Sequence, residues 1–300
     1  MGLTALPPEF AGALKVIATD TQLGGGFIEF PFLSEFTPEA ARILVQSLNR
    51  GVEARGYIRS SKSPTLYFGS GLSLPGTGMP TLPPDVVTEL AKYEGTLGLF
   101  GLREFPAKSA AALETFPGPY LRLSGPATEI VSPEVAASLA KVAGNLLIPL
   151  RELDSEPLAA RFARQITWTL QNLESVSKDS VPALIQYKQT FQVRKIGALE
   201  SPELAKRFLG NNYGPTLPAL TRLSPEAAGI IAQSPNSMLL GLDYLDSERT
   251  ARALSTAKGG VKLPRLRAVT PEVLAVLKEA KSIETPALDG LYTILPEAGK

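Results

Sequence analysis

The apolar residues of this chain follow two rhythms joined at fixed offsets. A short polar–proline–acidic signature, or its equivalent, recurs at Pro7, Thr37, Pro83, Pro106, Ser132, Ser155, Ser177, Ser201, Ser224, Ser247 and Thr270, at intervals of 30, 46, 23, 26, 23, 22, 24, 23, 23 and 23 residues. Counted from each anchor, apolar residues fall at −9 and −7, at −4 and −1, and at +3, +4, +7 and +8. The Thr37 copy reads Ile28, Phe30, Leu33, Phe36, then Ala40, Ala41, Leu44 and Val45; the Thr270 copy reads Val261, Leu263, Leu266, Val269, then Val273, Leu274 and Leu277. The −9/−7 pair has the period of a short strand with one buried face. The set after the anchor has the period of the inward stripe of a two- to three-turn amphipathic helix. The interval of 46 is twice 23, which predicts a worn copy near residue 60.

The anchor itself has a mechanism. Ser132-Pro133-Glu134, Ser224-Pro225-Glu226 and Thr270-Pro271-Glu272 place a hydroxyl at the N-cap, proline at the first helical position and a carboxylate in the first turn. Position +4 is alanine in eight of the eleven copies, so each helix axis can approach its neighbours closely. In Leu153-Asp154-Ser155, Leu199-Glu200-Ser201 and Leu245-Asp246-Ser247 the apolar residue steps back by one and an acid fills the gap, which reads as a lengthened turn. A unit this short cannot bury its own apolar faces. Stacking strands about 4.8 Å apart makes a parallel sheet on one side, with the helices on the other.

Leu-x-Leu followed by spaced apolar residues, with one strand and one helix per copy, resembles the leucine-rich repeat. The 23-residue period and the Leu-Pro pairs Leu74-Pro75, Leu217-Pro218 and Leu263-Pro264 are most similar to bacterial members of that family. The resemblance implies an α/β solenoid: one repeat domain over 1–300, about 12 units, irregular around 46–72, with partial first and last units. It also implies a protein-binding surface. One departure is plain: where the family has an asparagine ladder, Leu102, Leu173, Leu220 and Leu266 stand instead. The backbone groups of that turn must find other partners.

Composition removes most chemistry. The chain has no cysteine and no histidine, which excludes disulfides, thiolate nucleophiles, Cys-based metal sites, Ser-His and Cys-His triads and zinc helices. Gly24-Gly25-Gly26 and Gly69-x-Gly71 lack the layout of a nucleotide-binding loop. The carboxylate pairs Glu152/Asp154 and Asp243/Asp246 sit at turns, where caps explain them. No catalytic residue, cofactor or metal is therefore expected. Thirty basic against 29 acidic residues leave a net charge of +1, which gives no field for nucleic acid or an anionic membrane. No stretch of 18 apolar residues exists to span a bilayer, and Met1-Gly2-Leu3-Thr4 does not open a signal peptide. The compartment stays open.

Some stretches break the pattern. Thr19 to Gly26 reads as a loop insertion. Residues 49–72 gather Arg50, Arg55, Arg59 and Lys62 beside Tyr57, Tyr67 and Phe68, either a basic–aromatic contact patch or a worn repeat with a solvated loop. Leu3 and Leu6 at one end, and Leu288, Leu291 and Ile294 at the other, belong to incomplete units without a polar cap. This predicts a segment of a longer chain or end-to-end self-association. Trp168, at an inward −9 position, is expected in the core. The outward positions −10, −8 and −6 carry the candidate partner-binding residues: Arg122, Ser124, Leu147, Thr167, Thr169, Gln171, Thr216, Leu239 and Lys262, with Gln192 and Arg194 in a shifted copy. They suit an extended protein or peptide partner, and equally an unused solvent face. The expected role is a non-catalytic interaction or scaffolding module; the alternative is a structural spacer.

Overall fold

In the computed structural model the hydroxyl anchors cap helices. It describes residues 27–30, 36–54, 65–68, 82–165, 170, 172–186, 193–209, 214–287 and 292–293. The hydroxyls of Thr37, Ser132, Ser155, Ser201, Ser224, Ser247 and Thr270 each accept the backbone N–H three residues on, at 3.1–3.4 Å. The helices are α1 (Pro38–Ala54), α2 (Pro84–Leu90), α3 (Ala107–Ala112), α4 (Pro133–Leu139), α5 (Glu156–Ala163), α6 (Val181–Leu184), α7 (Pro202–Phe208), α8 (Pro225–Ile231), α9 (Glu248–Ser255) and α10 (Pro271–Glu279). Pro83 and Pro106 offer no hydroxyl, and α2 and α3 start without a side-chain cap. The +4 alanines Ala41, Ala110, Ala159, Ala205, Ala228 and Ala251 are fully buried. The class is mixed α/β with parallel strands.

The chain divides into two compact units, 1–150 with 164–168, and 151–163 with 169–300. In the first, β1 (Phe27–Phe30), β2 (Thr65–Phe68), β3 (Thr96–Leu99), β4 (Tyr120–Leu123) and β5 (Asn145–Leu147) pair in parallel and in chain order. Leu66, Phe68, Leu97, Leu99, Leu121, Leu123 and Leu146 point inward and are buried, as are Leu44, Val45, Leu90, Leu113 and Leu139 of the helical stripes. Phe68 stacks on Phe30 at 5.3 Å and tilts against Phe36 at 5.0 Å, so it belongs to the core and not to a surface basic–aromatic patch.

The interval between Thr37 and Pro83 departs from expectation. A copy anchored near residue 60 would have its strand near 51–53, but those residues lie inside the 17-residue α1. Among the described residues one strand, β2, lies between β1 and β3. A longer helix occupies the span assigned to a second strand. Arg55, Tyr57, Arg59 and Lys62 lie outside the described residues, as do Thr19 to Gly26, Leu3, Leu6, Leu288, Leu291 and Ile294.

Gln165 completes β5. Its side-chain oxygen accepts the Leu146 N–H, and its amide nitrogen donates to the Leu146 carbonyl at 3.2 Å. Gln165 is itself buried. One side chain thus satisfies both main-chain groups of a buried strand residue, which would otherwise cost desolvation energy.

The second unit carries two sets of parallel strands. β9 (Thr216–Leu217), β11 (Met238–Leu240), β13 (Val261–Lys262) and β15 (Ile283–Glu284) form one sheet. The other set lies just before the helices, at −2/−1 in standard copies: β6 (Glu152–Leu153) with β7 (Ser175–Val176), β8 (Ala198–Leu199) with β10 (Arg222–Leu223), and β12 (Tyr244–Leu245), β14 (Ala268–Val269) and β16 (Tyr292–Thr293). The lengthened-turn copies Ser155, Ser201 and Ser247 alternate with Ser177, Ser224 and Thr270. In this set Leu153 pairs with Val176, Leu199 with Leu223 and Leu245 with Val269, so the one-residue step is absorbed in the register.

Backbone groups satisfy one another at the corner that holds Leu173, Leu220 and Leu266. The N–H groups of Leu173, Leu220 and Leu266 bond locally to the carbonyls of Leu170, Leu217 and Leu263 at 3.0–3.3 Å. The next two N–H groups reach the preceding copy together: Glu174 and Ser175 to the Arg151 carbonyl, Thr221 and Arg222 to that of Gly197, and Arg267 and Ala268 to that of Asp243, at 2.7–3.3 Å. Gly197 N–H in turn donates to the Glu174 carbonyl at 2.8 Å. Leucines at the corner stay buried because no side-chain amide is required there.

Candidate functional site

Period-two alternation sends every second strand residue outward, and parallel pairing sets those residues in rows across the sheet. In the first unit one row runs Tyr67, Gly98, Arg122, Leu147. The residue between Tyr67 and Arg122 has no side chain, and its neighbours use the space. A Cβ at Gly98 would lie 2.4 Å from Tyr67 Cδ1 and 2.7 Å from Phe100 Cε2. The two rings meet edge to face at 5.2 Å, the preferred aromatic geometry. Arg122 reaches across two strands, and its Nη1 donates to the Tyr67 hydroxyl oxygen at 3.2 Å. Gly98 is buried beneath this cluster, while Arg122 is exposed.

Of the expected partner-facing residues, the structure places Arg122 and half-buried Ser124 on this face, beside half-buried Leu147. Ser124 also joins the turn network: its N–H donates to the Leu99 carbonyl, and its carbonyl accepts the Leu102 N–H. In the second unit Thr216, Leu239 and Lys262 share an outward row with Glu284. Lys262 is paired there with Glu284 at 3.2 Å. Arg194 is exposed in a bend. Thr167, Trp168, Thr169, Gln171 and Gln192 lie outside the described residues.

The residues least expected on this face are Phe100 and Gly98. Phe100 occupies −6 of its own copy, so its outward position was readable. Tyr67 falls in the irregular interval, which gives it no place in the repeat. Its meeting with Arg122, 55 residues away, depends on a register that no single copy contains.

Ion pairs link neighbouring copies of the second unit. Arg151 and Arg265 make two-pronged contacts with Glu174 (2.9 and 2.8 Å) and Asp243 (3.2 and 2.9 Å). The Arg151 guanidinium holds the Glu174 carboxyl below its usual range. These groups are largely solvated, so their main effect is register rather than stability.

That unit also has a groove of about 640 Å³, floored by Val176, Val181, Ile185 and Leu204. It lies beside the Ser177 copy, whose helix starts only at Val181 and lasts a single turn. Among the described residues there is no group of three or more acidic side chains that could hold a metal ion, and no helix is long and apolar enough to cross a membrane. Comparison with models of known protein families gave no match, and neither did comparison with curated proteins.

Proposed function

We propose that the chain is a non-catalytic protein-interaction module of leucine-rich-repeat-like architecture, which engages a polypeptide through the outward face of its parallel sheet. In-order pairing of β1 to β5 supports the repeat reading, as do the recurring N-caps and buried +4 alanines. The observation that carries the binding reading is local difference. One outward row of the first unit holds an aromatic–cation cluster built across three strands, whereas a spacer needs only a uniform solvated face. Conserving an inward frame while varying outward positions is how repeat arrays make binding surfaces.

A spacer role for the second unit is favoured by a different observation. Its outward row contains Thr216 and half-buried Leu239 and ends in the Lys262–Glu284 pair, which leaves that lysine's charge matched within the chain.

Photo-crosslinking separates the two roles. A benzoylphenylalanine at Tyr120 tests the face of the first unit, and one at Lys278 tests the exposed side of α10. The binding reading expects one recurring adduct from Tyr120 that Tyr67→Ala removes, and none from Lys278. Equal labelling from both positions, or no specific adduct from either, would sink it.

A further inference from the structure

We infer that Arg122 is the recognition point for a carboxylate side chain on an extended polypeptide, with an apolar or aromatic side chain two residues away seated against Tyr120. This rests on the sheet-face reading above and adds the chemistry of the partner.

The first step concerns Arg122's own neighbours. Directly across from it in the sheet stand Gly98 and Leu147, and neither carries charge. Among the described residues Arg122 makes no ion pair with a carboxylate; its side-chain partner is the Tyr67 hydroxyl. Cations of the second unit contrast with it. Arg151, Arg265 and Lys262 each have an acid on the neighbouring copy, at 2.8, 2.9 and 3.2 Å. Any carboxylate matched to Arg122 has to arrive from outside this row.

The second step concerns preparation. A guanidinium presents five N–H donors in a planar fork that fits a carboxylate with two parallel bonds. Tethering one nitrogen to Tyr67 restricts the long side chain before binding, so less rotamer freedom is lost in the complex. The empty Cβ position of Gly98 permits this by letting Tyr67 and Phe100 lie over the strand. Tyr67 therefore acts as a positioning residue.

The third step sets the spacing. Tyr120 and Arg122 are alternate residues of β4, on the same face and roughly 6.7 Å apart along an extended strand. A peptide running along β4 presents its own alternate side chains at that same interval. An acidic residue at Arg122 thus places the residue two positions away at half-buried Tyr120. Among the described residues of this row Arg122 is the one cation, and on a chain of net charge +1 that suits one carboxylate better than a phosphate backbone.

The test pans a phage-displayed library of random 12-residue peptides against the full chain and against Arg122→Gln. A fluorescein-labelled copy of the enriched sequence and a labelled single-stranded oligothymidine are then titrated by anisotropy. The expected result is enrichment of Asp/Glu-x-apolar or apolar-x-Asp/Glu sequences, with Kd raised about tenfold or more by Arg122→Gln. Tyr67→Phe, which keeps the ring, should raise Kd by a smaller factor. Circular dichroism of each variant verifies that it folds. Peptides without an acid, or acidic peptides held equally by Arg122→Gln, overturn the carboxylate assignment, and so does tighter binding of the oligonucleotide. If such peptides are still lost with Tyr120→Glu, face binding survives that failure. No enrichment at all overturns both readings.

Discussion

Substituting Gln165 by leucine preserves most of the side-chain bulk and deletes both hydrogen bonds that complete Leu146. The amide's orientation follows from its partners, because the Leu146 N–H requires an oxygen and the Leu146 carbonyl requires the NH₂. Each buried main-chain group left unpaired costs about 1–3 kcal/mol. Two such groups, offset in part by the added apolar burial, set the expected loss for Gln165→Leu at about 2–4 kcal/mol. Gln165→Glu supplies a sharper control. Its carboxylate can accept from the N–H, but its second oxygen then faces the Leu146 carbonyl; the protonated acid can donate there. Burial and this carbonyl both favour the neutral form, so the folded pKa of the new carboxyl lies above its unfolded value of about 4.3. Between those two values the folded state binds more protons, and stability falls as pH rises. The Glu variant's deficit should thus be smallest near pH 4 and larger at pH 7. Urea unfolding at both pH values measures this, with amide exchange at Leu146 as the local reporter. A Leu variant within about 0.5 kcal/mol of the parent would refute the strand-completing role. An equal Glu deficit at both pH values would refute the donor–acceptor assignment.

Three further perturbations follow from the same structure. Ser224→Ala removes the cap on Ala227 (3.1 Å) and the bond to the Glu200 carbonyl (2.9 Å), and should cost about 1–2 kcal/mol in urea unfolding. Ala251 is fully buried at the +4 position of α9, so Ala251→Leu should destabilise by about 1–3 kcal/mol through overpacking, read as a lower thermal midpoint. Burial pushes the Tyr93 phenol above its ordinary pKa. Its neutral form is thus favoured in the folded state, and stability should fall as pH rises above about 10, where the unfolded chain ionises first. Tyr93→Phe should flatten the dependence of the urea midpoint on pH between about 9.5 and 11; an unchanged slope would count against that assignment.

The strand–helix unit was legible because both of its signals are periodic and recur. Leu97/Leu99 and Val261/Leu263 were readable as buried strand positions, and the Ser-Pro-Glu anchors as helix starts. The second set of strands was not legible. Segments such as Ala198–Leu199 or Ala268–Val269 are two residues long and carry one inward side chain each, so they show no period. What makes them strands is pairing with the next copy, a contact 23 or 24 residues away in the chain. The interval after Thr37 misled for a related reason: arithmetic on anchors cannot distinguish two short units from one with a 17-residue helix. Gln165 was equally hidden, since a glutamine that closes a strand looks like any polar residue after a helix.

The same logic explains how much of the candidate site could be anticipated. An outward position can be read from one copy, and Arg122 and Ser124 were. A site, however, is a relation between copies, set by register. Inward residues must satisfy the stack, which confines most of them to aliphatic and aromatic side chains. Outward residues carry no such constraint, so glycine can stand at position 98 between a tyrosine and an arginine without disturbing the core beneath. Because the cluster hangs on that absent Cβ, Gly98→Val should disperse it while leaving the inward leucines of β3 in place. Structural economy alone gives no reason for the outward rows of the two units to differ. The second unit's row closes its charge within the chain, whereas the first tethers an arginine to a phenol, and the proposed binding role draws on that difference.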